Sequence, residues 1–150
     1  MLVDLLADKI QIIETAEDWK HAIRISAQPL LDNDSIEERY VDAMIDMCEE
    51  HNAYIVLTDL FAMPHASPES GVKKLDLALT LSRQPIDFMG KPVQVLLALA
   101  STDKNSHIYA LHDLSDLLED TNNIYRLIEC ETVGDIAKII NETLVKQAEL

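Results

Sequence analysis

The apolar positions along this 150-residue chain change period twice, and each change marks a change of expected structure. Near the N-terminus, Val3 to Leu6 reads as a short helical turn and Lys9 to Ile13 has the composition of a strand. The segment Thr15-Ala16-Glu17-Asp18 then reads as a capping box opening a helix. Trp19, Ala22, Ile23, Ile25, Ala27 and Leu30 carry that helix forward at helical spacing to Pro29 and the polar turn Asp32-Asn33-Asp34. Ser35, with Glu38 three residues on, marks the start of a second helix, whose apolar stripe is Tyr40, Val41, Met44, Ile45 and Met47.

The period then shortens. Tyr54 to Leu57 is rich in β-forming residues, and Leu60 to Met63 is a second short apolar stretch. Leu75 to Leu81 is apolar on both of its alternating faces, and Val93 to Ala100 is nearly continuous apolar, as strands of a doubly covered sheet must be. From Ser106 helical spacing returns, with Ile108, Leu111, Leu114, Leu117 and Leu118 on one stripe, and Asn122 to Ile128 and Thr132 to Val145 read as two further helices. Helices at both ends with strands between them imply an α/β fold: a single layered domain over residues 1–150, with a mixed central β-sheet flanked by helices.

Composition adds exclusions. With 12 basic and 27 acidic side chains the formal net charge is −15, which disfavours sequence-independent binding to nucleic acid or to anionic membrane and suits a basic protein partner. The two cysteines, Cys48 and Cys130, have no CxxC spacing and read as reduced thiols of a cytoplasmic protein. No apolar run approaches the length of a membrane span, and the N-terminus lacks the basic region of a signal peptide.

Five histidines remain as candidate chemistry. His21 falls within the first helix and His51 just after the second, positions expected at the surface. His65 differs. It follows Pro64, whose fixed φ stiffens the backbone entering it, and it closes the apolar run Leu60-Phe61-Ala62-Met63 before Ala66-Ser67-Pro68, a turn signal. An imidazole held this way can be aimed, whether as nucleophile, proton shuttle or metal ligand. His107 sits near the start of a helix, after the loop that follows Val93 to Ala100, where free N–H groups suit a phosphate. If the strands leading to His65 and His107 are parallel neighbours, both rings emerge at one sheet edge. The pairs HxxxH and CxxC are absent, as are GxSxG, the P-loop pattern and GxGxxG. A zinc site, a serine hydrolase and an ATP cradle therefore lack their signatures.

With these residues in view, the chain resembles the enzyme IIA components of the bacterial phosphoenolpyruvate-dependent sugar phosphotransferase system. Within them it is most similar to the mannitol/fructose-type family. The segment Leu60-Phe61-Ala62-Met63-Pro64-His65 matches that family's phosphoacceptor motif, and Ser106-His107-Ile108 matches its second active-site histidine. Glu38-Arg39-Tyr40, Pro68 to Lys74, and Glu119-Asp120 through Arg126-Leu127 are similar to the ascorbate-type subgroup. The resemblance implies that His65 accepts a phosphoryl group from the phosphocarrier HPr and passes it to a IIB component. His107 would orient the ring and hydrogen-bond the phosphoryl oxygens. It implies no metal and no cofactor, and only peripheral association with a membrane IIC permease, through IIB. A regulatory module of the same fold, controlling a protein partner by its phosphorylation state, is the alternative. One departure stands out: mannitol-type relatives carry an arginine in the helix before the phosphohistidine strand, and here Met47-Cys48-Glu49-Glu50-His51 has none. The apolar residues Phe61, Ala62, Met63 and Ala66 are the expected contributors to a docking surface, with core burial equally open for Phe61.

Overall fold

A computed structural model describes Leu6, residues 8–103, His112 and residues 119–148. The expected turn at Val3 to Leu6 lies outside these residues apart from Leu6, and so does most of the expected helix after Ser106. In chain order the elements are β1 (Ile10–Ile13), α1 (Trp19–Asp32), α2 (Glu38–Glu50), β2 (Val56–Thr58), β3 (Leu60–Ala62), a 3₁₀ turn (Pro68–Ser70), β4 (Asp76–Phe88), β5 (Lys91–Ala100), α3 (Asn122–Ile128) and α4 (Val133–Ala148). The strands form one mixed sheet in the order β1-β4-β5-β3-β2. The β1–β4 and β3–β5 pairs are parallel, and the β4–β5 and β2–β3 pairs are antiparallel.

The sheet is buried on both faces, each packed against its own pair of helices. Leu77, Leu79 and Leu81 of β4 and Val95, Leu97 and Leu99 of β5 pack with Ile124, Leu127, Ile136 and Ile140 of α3 and α4. The opposite face carries Ala78, Ala98 and Ala100 together with Phe88, Val93 and Leu96, against Ala22, Ile23 and Ala27 of α1 and Tyr40, Val41 and Met44 of α2. The near-continuous apolar run of β5 thus serves two layers at once.

Several local features differ from the sequence expectation, each for a visible reason. The first helix is capped by Asp18, not Thr15: Asp18 has extended backbone, and its carboxylate accepts from the His21 N–H at 2.8 Å. Pro29 lies inside α1, not at its end. Proline cannot donate to the Ile25 carbonyl one turn back, and the Gln11 side chain of β1 donates to that carbonyl at 2.9 Å in its place. Ser35 does not cap α2. It is fully buried with its hydroxyl on Asp76, its carbonyl accepts from Lys73 N at 2.8 Å, and α2 starts only after the extended Glu37.

Strand β4 runs seven residues beyond the expected Leu81, because a register shift between Leu81 and Ile86 absorbs the polar segment that includes Pro85. The Gln94 side chain donates to the Ser82 and Arg83 carbonyls that the shift leaves without ladder partners, at 3.2 and 3.0 Å. A two-residue turn then joins β4 to β5, with φ of 56° at Met89 and 98° at Gly90. Positive φ at both positions is what the right-handed twist of a tight hairpin demands.

Two polar devices tie down the sheet edge where β3 and β5 end. The first centres on Asp76, 1% exposed at the start of β4 and paired with Ala100 at the end of β5. Its carboxylate takes hydrogen bonds from Ser35, from Asn33 at 2.9 Å and from Leu77 N at 2.9 Å, and Lys9 Nζ stands 3.2 Å away. The second is the hydroxyl of Tyr40, 1% exposed on α2. It donates to the Leu99 carbonyl at 2.8 Å and accepts from Ala66 N at 3.0 Å. Burial, only partly offset by its bond to Ala66, pushes the Tyr40 phenol up to about 12.

Removing the Asp76 carboxylate takes the acceptor from the Ser35 hydroxyl and Leu77 N and leaves the largely buried Lys9 only the exposed Asp8, so Asp76→Ala should cost about 3–5 kcal/mol in urea unfolding. Tyr40→Phe should cost about 1–3 kcal/mol by stranding the Leu99 carbonyl and Ala66 N–H. The Tyr40 pKa is raised on folding, so its neutral form is favoured by the native state. Its contribution is complete below the ordinary phenol pKa and is lost as pH climbs to about 12. Wild type should therefore lose stability across that alkaline window more steeply than Tyr40→Phe, measured as unfolding midpoint against pH.

Candidate functional site

The parallel pairing of β3 with β5 meets the condition set for the two apolar runs and brings their C-terminal ends to one edge. The ladder continues one step past β3, with Leu99 N donating to the Pro64 carbonyl at 3.0 Å. Pro64 is buried, and the Tyr40 hydroxyl holds Ala66 on the other side of His65. The peptide on each side of the imidazole is thus fixed to the end of β5 by separate bonds. Further on, Gly71 holds the descending loop against α2. It has a φ of 131°, and a Cβ there would stand 3.2 Å from both Arg39 Cγ and Tyr40 Cβ. Arg39 also donates to the Glu69 carbonyl at 3.1 Å.

His65 itself is half-buried. Its Nδ1 is 2.7 Å from the Met63 carbonyl. A carbonyl oxygen can only accept, so Nδ1 carries the proton and, in the neutral ring, Nε2 carries the lone pair. The ring packs edge-on against Tyr54, with centroids 5.3 Å apart and planes at 68°, and Tyr54 meets His51 in the same way at 5.7 Å. The Tyr54 hydroxyl is 3.2 Å from the His65 carbonyl and 3.4 Å from Nε2. Burial, and secondarily Cys48, pushes the Tyr54 phenol above its ordinary value, so it is a protonated donor at neutral pH. Sequence reasoning did not single out Tyr54: it reads there as a β-forming residue, and only the fold returns it to His65.

The other expected residues fall as follows. His107 lies outside the described residues. His112 is exposed on helical backbone. His51 is exposed, while His21 is half-buried, with Nδ1 accepting from Glu17 N at 3.1 Å. The expected apolar docking surface needs correction: Phe61 and Ala62 are 0% exposed and Met63 is 1% exposed. They are core residues of a doubly covered strand, and of the four only Ala66 retains partial exposure.

The chemistry open to the site is narrow. Both cysteines are free and buried, and burial pushes the Cys48 thiol up to about 11, so it is a poor nucleophile. Among the described residues no group of three or more His, Cys, Asp or Glu side chains is placed to hold a metal ion. No helix among them is long and apolar enough to cross a membrane. What the edge presents is an imidazole whose Nδ1 proton is held by the Met63 carbonyl, with a phenolic donor beside Nε2.

Comparison with known proteins bears on the family and the fold. Residues 5–143 match the family model described as phosphoenolpyruvate-dependent sugar phosphotransferase system, EIIA 2. The chain is 36% identical over 148 residues to the ascorbate-specific PTS system EIIA component of Shigella flexneri, covering 95% of this chain and 96% of that protein. Its fold is similar to the solution structure of the mannitol-specific cryptic phosphotransferase enzyme IIA of Escherichia coli, with a TM-score of 0.88 and 35% identity, covering 95% of this chain and 99% of the other. It also shares its fold with the mannitol enzyme IIA of Escherichia coli solved in complex with its phosphorylated IIB, at a TM-score of 0.77 and 21% identity over 91% and 96% of the two chains. A doubly covered mixed sheet, an edge that aims one imidazole, and a match over nearly the whole length lead to one conclusion: this chain belongs to the EIIA 2 family of the phosphoenolpyruvate-dependent sugar phosphotransferase system, whose components transfer phosphoryl groups.

Proposed function

We propose that the 150 residues form one EIIA domain acting as a phosphocarrier, with His65 taking a phosphoryl group from phospho-HPr and giving it to a IIB component of a sugar permease. The observation that carries this reading is the 2.7 Å bond from Nδ1 to the Met63 carbonyl, which fixes Nε2 as the attacking atom. The Nε2 lone pair forms the new N–P bond as the donor's P–N bond breaks, and that bond's electron pair returns to the donor nitrogen. No proton has to move. The phosphorylated ring keeps its Nδ1 proton and becomes cationic, and the Met63 carbonyl dipole stabilises that charge. Transfer of this kind has a loose transition state, so alignment and local electrostatics supply most of the catalysis.

The partner assignment rests on charge and on kinship. A net charge of −15 favours a basic carrier, and Asp42, Asp46, Glu49 and Glu50 of α2 are exposed, with Asp42 and Glu49 in surface ion pairs to Arg24 and Lys20. The mannitol IIA solved with phosphorylated IIB supports an equivalent acceptor for this chain. Kinship with the ascorbate-specific component supports an ascorbate- or pentose-type permease, reached at the membrane only through IIB. His107 is assigned, from the motif Ser106-His107-Ile108, to orienting the ring and binding the phosphoryl oxygens. Neither histidine needs a metal or cofactor for these roles.

Incubation with enzyme I, HPr and labelled phosphoenolpyruvate should give an acid-labile label on wild type and none on His65→Ala; a fully labelled His65→Ala protein would refute the assignment. Acceptance should slow at acid pH, because protonation consumes the Nε2 lone pair. His107→Ala should still take up label but pass it to IIB at least about tenfold more slowly, the scale expected for lost alignment. Undiminished transfer by that variant would remove His107 from the mechanism.

A further inference from the structure

Tyr54 stands at the acceptor nitrogen with one proton and two partners. It belongs to the connection between α2 and β2, is half-buried, and packs with the core cluster beneath α1 and α2. Its hydroxyl lies 3.2 Å from the His65 carbonyl and 3.4 Å from Nε2. Because Nδ1 is the protonated nitrogen, both of those atoms are acceptors, and a phenol can serve only one at a time. Neither bond is short. The donor is therefore held next to the nucleophile without being committed to it.

We propose that Tyr54 is a phosphoryl-binding residue: its hydroxyl leaves Nε2 and the His65 carbonyl when the group arrives and donates to a phosphoryl oxygen on the modified ring. The inference rests on the reading of His65 as the acceptor. Attack requires the Nε2 lone pair to be free, and the His65 carbonyl offers the hydroxyl an alternative acceptor while the donor approaches. Once the N–P bond exists, the phosphoryl oxygens are charged acceptors, and hydrogen bonds to charged groups are roughly twice as strong as neutral ones. The exchange is thus downhill in the phosphorylated state. Edge-on contacts with His65 and His51 fix the ring plane, so the hydroxyl is pre-aimed and little order is lost when the bond forms. The burial that raises the phenol's pKa keeps the proton available for donation.

Tyr54→Phe removes the hydroxyl and keeps the ring, so the packing of His65 is preserved. With wild type and variant both charged from HPr, the variant's equilibrium phosphorylation constant should fall about tenfold, at the lower end for a charge-assisted bond at a half-buried site. Its phosphohistidine should hydrolyse several-fold faster. In a ³¹P NMR titration the phosphoryl group of the variant should protonate at higher pH, since a lost donor destabilises the dianion; altered packing alone would not move that value in a consistent direction. The ¹⁵N shifts of His65 should report the same Nδ1–H tautomer in both proteins. If His65 of wild type takes label and Tyr54→Phe matches it in equilibrium constant, hydrolysis and ³¹P titration, the role of Tyr54 is refuted and that of His65 stands. If wild type takes no label at His65, both fall.

Discussion

Because the sheet is covered by helices on both faces, every backbone polar group at its irregular points must find a partner inside the protein. That constraint organises much of what is unusual here. The Gln94 side chain closes the carbonyls opened by the shift in β4, and Gln11 serves the carbonyl that Pro29 abandons in α1. Tyr40 satisfies the end of β5 and the peptide after His65 with one oxygen. Function follows from the last of these. A phenol recruited to settle an edge carbonyl also fixes the loop that aims an imidazole.

The same requirement explains the buried charge at Asp76. Ion pairs in such places rarely add stability over an apolar alternative, because desolvation offsets most of the attraction. Asp76 instead joins three segments that are remote in sequence: Lys9 ahead of β1, the turn Asn33 to Ser35, and the start of β4. Ser35 in turn accepts from Lys73 through its backbone, and Glu37 N donates to the Gly71 carbonyl at 2.8 Å. The loop descending from His65 is therefore anchored at both its beginning and its end, by Tyr40 and by this network. The nucleophile proposed at His65 needs such anchoring, since transfer between two imidazoles depends on alignment.

Much of this was legible in the sequence. The two-faced apolar runs gave the covered sheet, and the order of periods gave the α/β layering, because burial on two faces leaves a compositional trace. Pro64-His65 at the end of an apolar run identified the ring that the fold presents at its edge. What stayed hidden depended on contacts across the chain. Ser35 carries a capping signature, yet a carboxylate 41 residues away claims its hydroxyl. Strand β4 passes through a proline because Gln94, on its partner, repairs the ladder. Tyr54 looks like any β-forming residue until the chain returns 11 residues later with His65 against its ring. Local propensity records none of these pairings, because each is set by tertiary distance.

An acidic protein acting as the phosphocarrier proposed above faces an electrostatic problem, and the site's composition bears on it directly. At a net charge of −15 the field of the molecule opposes added negative charge, and the helix preceding the site ends in Met47-Cys48-Glu49-Glu50-His51, without an arginine. A neutral donor avoids this difficulty differently from a cation. A hydroxyl contributes its bond at short range and at full strength in a half-buried position, while leaving the distant acidic field intact for a basic partner to sense. In the transfer proposed for His65, the imidazolium formed on phosphorylation supplies the remaining compensation, a positive charge created only while the phosphoryl group is present and facing the Met63 carbonyl. Charge needed for docking and charge needed for carrying the group are thereby separated. On the proposed reading, the first resides in exposed carboxylates such as those of α2, and the second arises within the bond-making ring itself.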